Sequence, residues 1–355
     1  MIVVDAHQDI AYNRLAFGRD YRYGALYHRA REKGTDVPRH NGWATVGLPD
    51  ALLGRVAITF STLFVAPRAK HDSAWEPVCY SDADEAYAVA SQQMDYYERL
   101  ADEHEKINLV RTLTDLDVVL ATWADGTDLI DHQLGFVVLM ENADPILEPK
   151  QFEEWYERGV RVVGPAWHAT RYSGGTGQPG PLTDLGRDLL DVMADFNVLL
   201  DLSHMAQASF LEAVDRYGGS MIASHSNPAH FCDTDRHLTD EMIRRLAERD
   251  GVMGIVLYNA FLTTQWNRRA RLPFSVVPDA IDYVCQLLGS AQHIGLGSDF
   301  DGGFGMESTP QGLDTLTDLL HISASLRERG YTDAEIEAIM SGNMLRKLRA
   351  VLPEG

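Results

Sequence analysis

The residues best suited to chemistry in this sequence are histidines and acids that directly follow short apolar runs. Six of eight such runs end in His, Asp or Glu. Imidazole and carboxylate groups together suit zinc and the divalent metals that share its ligand preferences. The residues that follow these six runs are His7 and Asp9, Glu141, His168, His204, His225, and Asp299 with Asp301. The pattern therefore indicates a metal centre assembled from several strands.

Each of these residues also has a simpler interpretation. His7 and Asp9 are two positions apart, so on a strand they would point to one side and could bind one ion together, yet for this pair alone a surface turn is the favoured interpretation. The histidines after the fifth and sixth runs fit hydrogen-bonded core residues, and the two acids after the eighth run fit a turn or a helix cap. Glu141 is more telling, because burying a lone carboxylate at the end of an apolar strand is costly unless it is paired or binds metal. The recurrence of one kind of side chain at one kind of place favours a shared site.

The runs themselves indicate what positions these residues. They are short, rich in β-branched residues and mostly followed by amphipathic helical windows, and they occupy residues 2–4, 56–64, 135–140, 160–163, 198–202, 221–223, 252–257 and 293–297. Such continuous apolar runs are typical of strands buried on both faces of a parallel sheet. Eight strands alternating with helices predict a (β/α)8 barrel of the TIM type, whose functional residues lie at the C-terminal ends of the strands. A doubly wound open sheet is the alternative, although no GxGxxG follows the first strand to support its dinucleotide-binding version.

Composition excludes several classes of protein. The 355 residues include 31 Lys and Arg against 52 Asp and Glu, a formal net charge of −21, which argues against nucleic acid as a partner. No apolar stretch approaches the roughly 20 residues of a membrane helix, and the first residues do not resemble a secretory signal. Three widely spaced cysteines offer neither a disulfide framework nor a metal knuckle. We therefore expect a cytoplasmic protein with no membrane partner, and we leave a monomer and a homodimer both open.

The chain is predicted to form a single barrel domain over residues 1–355. Two long connections interrupt the strand and helix pattern: an excursion over residues 11–55, and a Gly/Pro-rich segment over residues 167–182 that we expect to be a loop without regular structure. Such connections are commonly lids or walls of a site. Helical windows after the eighth strand form a C-terminal extension, and Thr183 is the expected N-cap of the helix after the fourth strand.

Taken in order, the motifs resemble the renal (membrane) dipeptidase family of zinc peptidases, which belongs to the metal-dependent amidohydrolases. The resemblance extends from residue 2 to about residue 350. Leu-Ser-His, Ser-His-Ser and Asp-Phe-Asp-Gly in that order are specific in combination. The motifs are Asp5-Ala6-His7-Gln8-Asp9, Glu141, Asp201-Leu202-Ser203-His204, Ser224-His225-Ser226, Gly297-Ser298-Asp299-Phe300-Asp301-Gly302 and Gly342-Asn343-Met344-Leu345-Arg346.

This resemblance implies two Zn²⁺ ions, or other divalent transition metals, at the barrel mouth. It implies that His7 and Asp9 bind one ion, that His204 and His225 bind the other, and that Glu141 bridges them. The expected reaction is hydrolysis of a dipeptide by a hydroxide that bridges the two metals.

The resemblance also assigns three residues to the substrate. His168 would polarise the scissile carbonyl, Arg236 would pair with the substrate carboxylate through its planar fork, and Asp299 would be the general acid and base. Apart from the resemblance, Arg236 fits a solvated surface residue better than a substrate contact. Tyr258, after the seventh strand, is either a substrate contact at the mouth or a packed aromatic side chain.

Two departures from the family pattern concern the substrate rather than the metals. Asn142 stands where a Gly commonly follows the bridging Glu, and residues 169–180 are richer in Gly than the usual loop. Hydrolysis of another small amide, such as an N-acyl amino acid or a β-lactam, is therefore a second hypothesis. A third is a binding barrel without catalytic activity, which would be expected to have lost ligands that this chain retains.

Overall fold

Eight parallel strands close into a barrel in the computed structural model of the chain, which describes residues 1–68 and 78–355. The strands are β1 (Val3–Gln8), β2 (Val56–Leu63), β3 (Ala66–Pro67), β4 (Cys79–Tyr80), β5 (Ile107–Leu109), β6 (Leu134–Met140), β7 (Val160–Val163), β8 (Ser173–Gly175), β9 (Gln178–Leu182), β10 (Leu199–Asp201), β11 (Met221–Ala223), β12 (Val252–Ile255) and β13 (Ile294–Leu296). The ring runs β1, β2, β6, β7, β10, β11, β12, β13 and back to β1, every pair parallel. The predicted (β/α)8 barrel is confirmed, and its strands coincide with the eight apolar runs.

Helices connect the strands. They are α1 (Ile10–Phe17), α2 (Ala25–Glu32), α3 (Val37–Asn41), α4 (Leu48–Leu53), α5 (Ala83–Glu103), α6 (Leu113–Ala121), α7 (Phe152–Arg158), α8 (Asp184–Asp195), α9 (Gln207–Arg216), α10 (Asp240–Glu248), α11 (Asn259–Leu262), α12 (Val276–Leu288), α13 (Leu320–Glu328), α14 (Asp333–Glu337) and α15 (Asn343–Val351). The Thr183 hydroxyl accepts a hydrogen bond from the Gly186 N–H at 3.0 Å, which confirms the expected N-cap of α8. No helix within the described residues combines the length and the apolar character needed to cross a membrane.

The excursion over residues 11–55 contains helices α1 to α4 and is tied to the loop after β13 by one buried acid. The Asp301 carboxylate accepts hydrogen bonds from the N–H and the hydroxyl of Thr45 at 2.7 and 2.6 Å, and it forms an ion pair with Arg19 at 3.2 Å. Asn13 donates to the Asp301 main-chain carbonyl at 2.9 Å. Asp301 therefore anchors the excursion beside the mouth of the barrel.

The Gly/Pro-rich segment differs from the expected irregular loop, because part of it forms the antiparallel hairpin β8–β9. Its glycines allow backbones to approach closely: a Cβ on Gly174 would lie 2.3 Å from the Gly180 nitrogen, and one on Gly175 would lie 2.5 Å from the His168 carbonyl oxygen. Because glycine has low strand propensity, the composition of this segment does not predict a hairpin. The glycines are nevertheless needed there, because the backbones pack too closely for a Cβ.

Two glycines in neighbouring strands leave room for the backbone that carries a predicted site residue. A Cβ on Gly254 or on Gly297 would lie 2.0 Å from the Ser224 carbonyl oxygen, one residue before His225. The absence of side chains at these two positions therefore fixes how closely β11, β12 and β13 approach one another.

We expect Gly254→Ala to lower the free energy of unfolding by about 1–3 kcal/mol, because the added methyl group overpacks a rigid backbone contact. Gly218→Ala is the matched control, since a Cβ there meets no atom within 4 Å. Denaturant unfolding of both variants tests this. Equal stability of the two variants would contradict the packing argument.

Candidate metal centre

Six of the predicted residues converge at the carboxyl ends of the barrel strands. The His7 Nε2 lies 3.6 Å from the Asp9 carboxylate, 3.7 Å from the Glu141 carboxylate and 3.8 Å from the Asp299 carboxylate. His7, Asp9 and Asp299 form one group able to surround a cation, and His7, Glu141 and His225 form another. With His204, the six side chains lie at the ends of the five strands β1, β6, β10, β11 and β13, so closure of the barrel brings them together.

Glu141 lies between the two ends of this cluster. Its Oε2 faces His7, whereas its Oε1 lies 3.4 Å from the His204 Nε2 and 3.7 Å from the His225 Nε2. Among the described residues, the buried Oε2 of Glu141 has no hydrogen-bond partner, and neither do the two ring nitrogens of buried His7. Polar atoms left unsatisfied in this way are costly, and a bound cation would satisfy the carboxylate oxygen and the Nε2 that faces it.

The imidazole of His225 is held in one tautomer by a chain of hydrogen bonds. Ser224 Oγ donates to the Asp201 carboxylate at 2.5 Å, and it therefore accepts from the His225 Nδ1–H at 2.8 Å. The His225 Nε2 then presents a lone pair, and it lies 2.9 Å from the His204 Nε2. Two convergent ring nitrogens beside a carboxylate suit a divalent metal such as zinc.

The pair Asp201 and Ser224 forms an aspartate–serine clamp, in which one carboxylate accepts from both the N–H and the hydroxyl of a serine, and a second clamp of this kind supports the other end of the cluster. The Asp5 carboxylate accepts from the Ser298 N–H at 2.7 Å and from the Ser298 hydroxyl at 2.6 Å. Asp201 binds the N–H and hydroxyl of Ser224 in the same way, at 2.8 and 2.5 Å. Each serine directly precedes a residue of the cluster, Asp299 in the first case and His225 in the second. The four clamp residues were not predicted to act at the site, although an acid inside a buried strand is a signal that could have pointed to both aspartates.

Two of the converging residues have unusual backbone conformations. His204 and Asp299 have φ values of 64° and 57°, in the left-handed region that few residues other than Gly adopt. Such conformations persist only where the surroundings enforce them, and they concentrate at functional sites. The sequence motifs that end β10 and β13 therefore encode sharp turns that direct these side chains into the mouth.

Burial determines the protonation of the cluster in the absence of metal. Desolvation raises the pKa of Asp9 to about 7, opposed by a hydrogen bond from Thr62. Desolvation, reinforced by the charges of Asp9 and Asp299, raises the pKa of Glu141 well above its usual value. The pKa of His7 falls to about 3 because burial disfavours its charged form. The imidazoles are thus neutral near pH 7, the form in which they could bind a metal, while burial favours the neutral form of the acids unless a cation compensates their charge.

A cavity of about 410 Å³ opens over the cluster. Its apolar walls are formed by the aromatic side chains of Tyr12, Phe64, Trp167 and Phe261. Two of the residues predicted to contact substrate, His168 and Arg236, line it as well. The cavity is large enough for a small molecule and combines apolar walls with a few polar groups, as ligand sites commonly do.

Arg236 is buried without an acidic partner. It donates to the Ser226 hydroxyl at 3.2 Å and to the His225 carbonyl at 2.7 Å, and its Nε has no hydrogen-bond partner. No ion pair joins it to a carboxylate in residues 1–68 or 78–355, so this guanidinium is not a solvated surface group. Tyr258 stacks on Phe304 with ring centroids 4.3 Å apart and is not among the residues that line this cavity, so its role toward the substrate stays a prediction.

The model of the membrane dipeptidase family, peptidase family M19, matches residues 1–352 of the chain. The chain belongs to this family. An uncharacterized protein of Klebsiella pneumoniae is 32% identical over 58% of this chain and 77% of its own length. A dipeptidase of Claviceps purpurea is 27% identical over 86% of this chain and 69% of its own length, whereas an uncharacterized dipeptidase of Schizosaccharomyces pombe is matched over only 48% of its length.

Two solved structures share the fold. A metallopeptidase from Rhodobacter sphaeroides, bound to a phosphinate mimic of the dipeptide L-Ala-D-Ala, has a TM-score of 0.80 at 23% identity, covering 99% of both chains. A probable dipeptidase from Pseudomonas aeruginosa has a TM-score of 0.79 at 19% identity, covering 99% of this chain and 95% of the other. The predicted family, the barrel and the assignment as a metallo-dipeptidase are confirmed.

We expect Ser224→Ala to weaken Zn²⁺ binding by about 10–100-fold, because the His225 Nδ1–H then loses the acceptor that fixes its tautomer. Chelator competition on metal-free protein measures the affinity. Ser323→Ala, which removes a buried hydroxyl bonded to the Leu320 carbonyl in α13, is the control and should leave the affinity unchanged. Wild-type affinity in Ser224→Ala would show that the hydrogen-bond chain does not orient the ligand.

Proposed function

We propose that this protein is a binuclear zinc dipeptidase that hydrolyses the peptide bond of dipeptides with a free C-terminal carboxylate. The observation that carries the proposal is the buried guanidinium of Arg236, which forms no ion pair within residues 1–68 and 78–355. It lines the same cavity as the cluster of carboxylates and imidazoles, and the charges of Asp299 and Glu141 act on it without direct contact. A buried unpaired charge is strongly unfavourable, and a substrate carboxylate would supply the missing partner. The relative from Rhodobacter sphaeroides, crystallised with a dipeptide mimic, supports the same substrate class.

The residues fit two metal ions. His7 and Asp9 would hold one, His204 and His225 would hold the other, and Glu141, whose carboxylate lies near both groups, would contribute to both. When bound, such ions activate a shared water for attack on a carbonyl at neutral pH.

Two further side chains would act on the substrate directly. His168 lines the cavity, and its Nε2 has no hydrogen-bond partner within residues 1–68 and 78–355. Because its Nδ1 donates to the Thr176 carbonyl, its Nε2 would donate to the carbonyl oxygen of the scissile bond as part of an imidazolium. Asp299 also lines the cavity, and burial together with the charge of Asp9 raises its pKa well above the usual value. A carboxyl group with a raised pKa suits the task of taking a proton from water and passing it to the departing amine.

The substrate class can be tested with a panel of compounds. Zn²⁺-loaded protein is expected to hydrolyse dipeptides, to lose this activity on chelation and to regain it when Zn²⁺ is restored. Arg236→Met should raise KM for dipeptides about 100-fold or more, because a buried charge-assisted pair is lost, while dipeptide amides should be poor substrates of both proteins. Faster turnover of N-acyl amino acids or β-lactams than of dipeptides would favour the second hypothesis, and absence of turnover with bound metal would favour a binding barrel.

We expect Asp299→Asn to lower kcat for dipeptides by at least 10²-fold, since it removes the group that transfers the proton. The control is the Zn²⁺ content of the variant by elemental analysis, which should stay within a factor of two of the wild type if Asp299 acts mainly on the proton. An active variant, or one that has lost its metal, would refute this role.

A further inference from the structure

The tip of the β8–β9 hairpin contacts three predicted site elements that come from different strands. The tip consists of Thr176 and Gly177, because Gly175 and Gln178 are the last paired residues of the two strands. The Thr176 main-chain carbonyl lies 2.5 Å from the His168 Nδ1, and the Gly177 N–H donates to the Asp235 carboxylate at 2.7 Å, next to Arg236.

The third contact is made by a side chain. The Thr176 Oγ1 lies 3.2 Å from the His204 Nδ1 and 3.4 Å from the His204 carbonyl oxygen. If the hydroxyl donates its proton to that carbonyl, the oxygen accepts from the His204 Nδ1–H. Ser224 orients His225 in the same way, because its hydroxyl accepts from the His225 Nδ1–H and donates to another group.

The hairpin is held firmly enough to orient a ligand. The Gly174 carbonyl accepts hydrogen bonds from the Ala206 N–H and the Ser209 hydroxyl, both at 3.1 Å, and Gly175 bridges to Met205. These bonds attach β8 to the segment that directly follows His204. Thr176 is consequently fixed relative to the imidazole that it touches.

We propose that Thr176 is a positioning residue of this enzyme. The His204 ring also hydrogen-bonds to the Trp167 main chain, and the Thr176 hydroxyl adds the contact at Nδ1 that leaves the Nε2 lone pair facing Glu141 and His225. Sequence motifs do not reveal this residue, because it lies in a glycine-rich segment more than 25 positions from His204 and becomes a neighbour only through the hairpin. The proposal rests on His204 binding metal as described under the proposed function.

Thr176→Val and Thr176→Ser separate the hydroxyl from the shape of the side chain. Valine retains the size and the main-chain carbonyl but removes the hydroxyl, and serine retains the hydroxyl. We expect the apparent dissociation constant for Zn²⁺, measured by chelator competition on metal-free protein, to rise about 10–100-fold in Thr176→Val and to stay within about threefold of the wild type in Thr176→Ser.

Thr170→Val is the matched control in the same segment. In the part of the chain that the structure describes, the Thr170 hydroxyl bonds only to the main chain at Pro165, Tyr172 and Ser173. It should keep the wild-type Zn²⁺ affinity even if thermal unfolding shows a lower Tm. Wild-type affinity in Thr176→Val, an equal loss in Thr176→Ser, or an equal loss in Thr170→Val would each overturn the proposal. If Thr176→Val does not fold, Thr176→Ala provides the same comparison. Because the affinity is measured without turnover, a protein that binds Zn²⁺ as expected but hydrolyses no dipeptide would refute the proposed function and leave the role of Thr176 intact.

Discussion

The architecture of the barrel mouth depends on one electrostatic constraint. Carboxylates and neutral imidazoles from five strands converge there, buried, with several ligand atoms unsatisfied. Without a cation this arrangement is unfavourable, because the acids repel one another and lose their hydration. The fold therefore has to hold the cluster together, and many of the surrounding hydrogen bonds and backbone contacts do so.

The most regular of these devices are the two aspartate–serine clamps. Asp5 with Ser298 and Asp201 with Ser224 join neighbouring strands through the same pair of hydrogen bonds. Each clamp fixes the backbone one residue before a member of the cluster. The left-handed conformations at His204 and Asp299 are enforced in this setting, so that rigid strands rather than flexible loops direct the functional side chains.

The two long connections complete the site from outside the barrel. The excursion over residues 11–55 contributes Tyr12 to the cavity wall and is anchored through Asp301, while the hairpin brings Thr176 to His168 and His204. Asp301, the second acid of the Asp-Phe-Asp-Gly motif, thus anchors the excursion rather than joining the cluster at the barrel mouth. Segments that carry no strong sequence pattern are here the ones that shape the cavity where substrate is proposed to bind.

Much of the fold and of the metal cluster could be predicted from the sequence, because both follow local rules. Apolar runs buried on both faces identify the eight strands, and the polar residues that end them, such as Glu141, mark the functional end of a barrel. The roles of Asp201, Ser224 and Thr176 could not be predicted in this way, and neither could the hairpin that carries Thr176. Their positions depend on which strands become neighbours and on backbone approaches that only glycine allows. By itself the sequence determined the barrel and the set of groups at its mouth. Only the tertiary structure decided how those groups are oriented, because the hydrogen bonds that orient them join residues far apart in the chain.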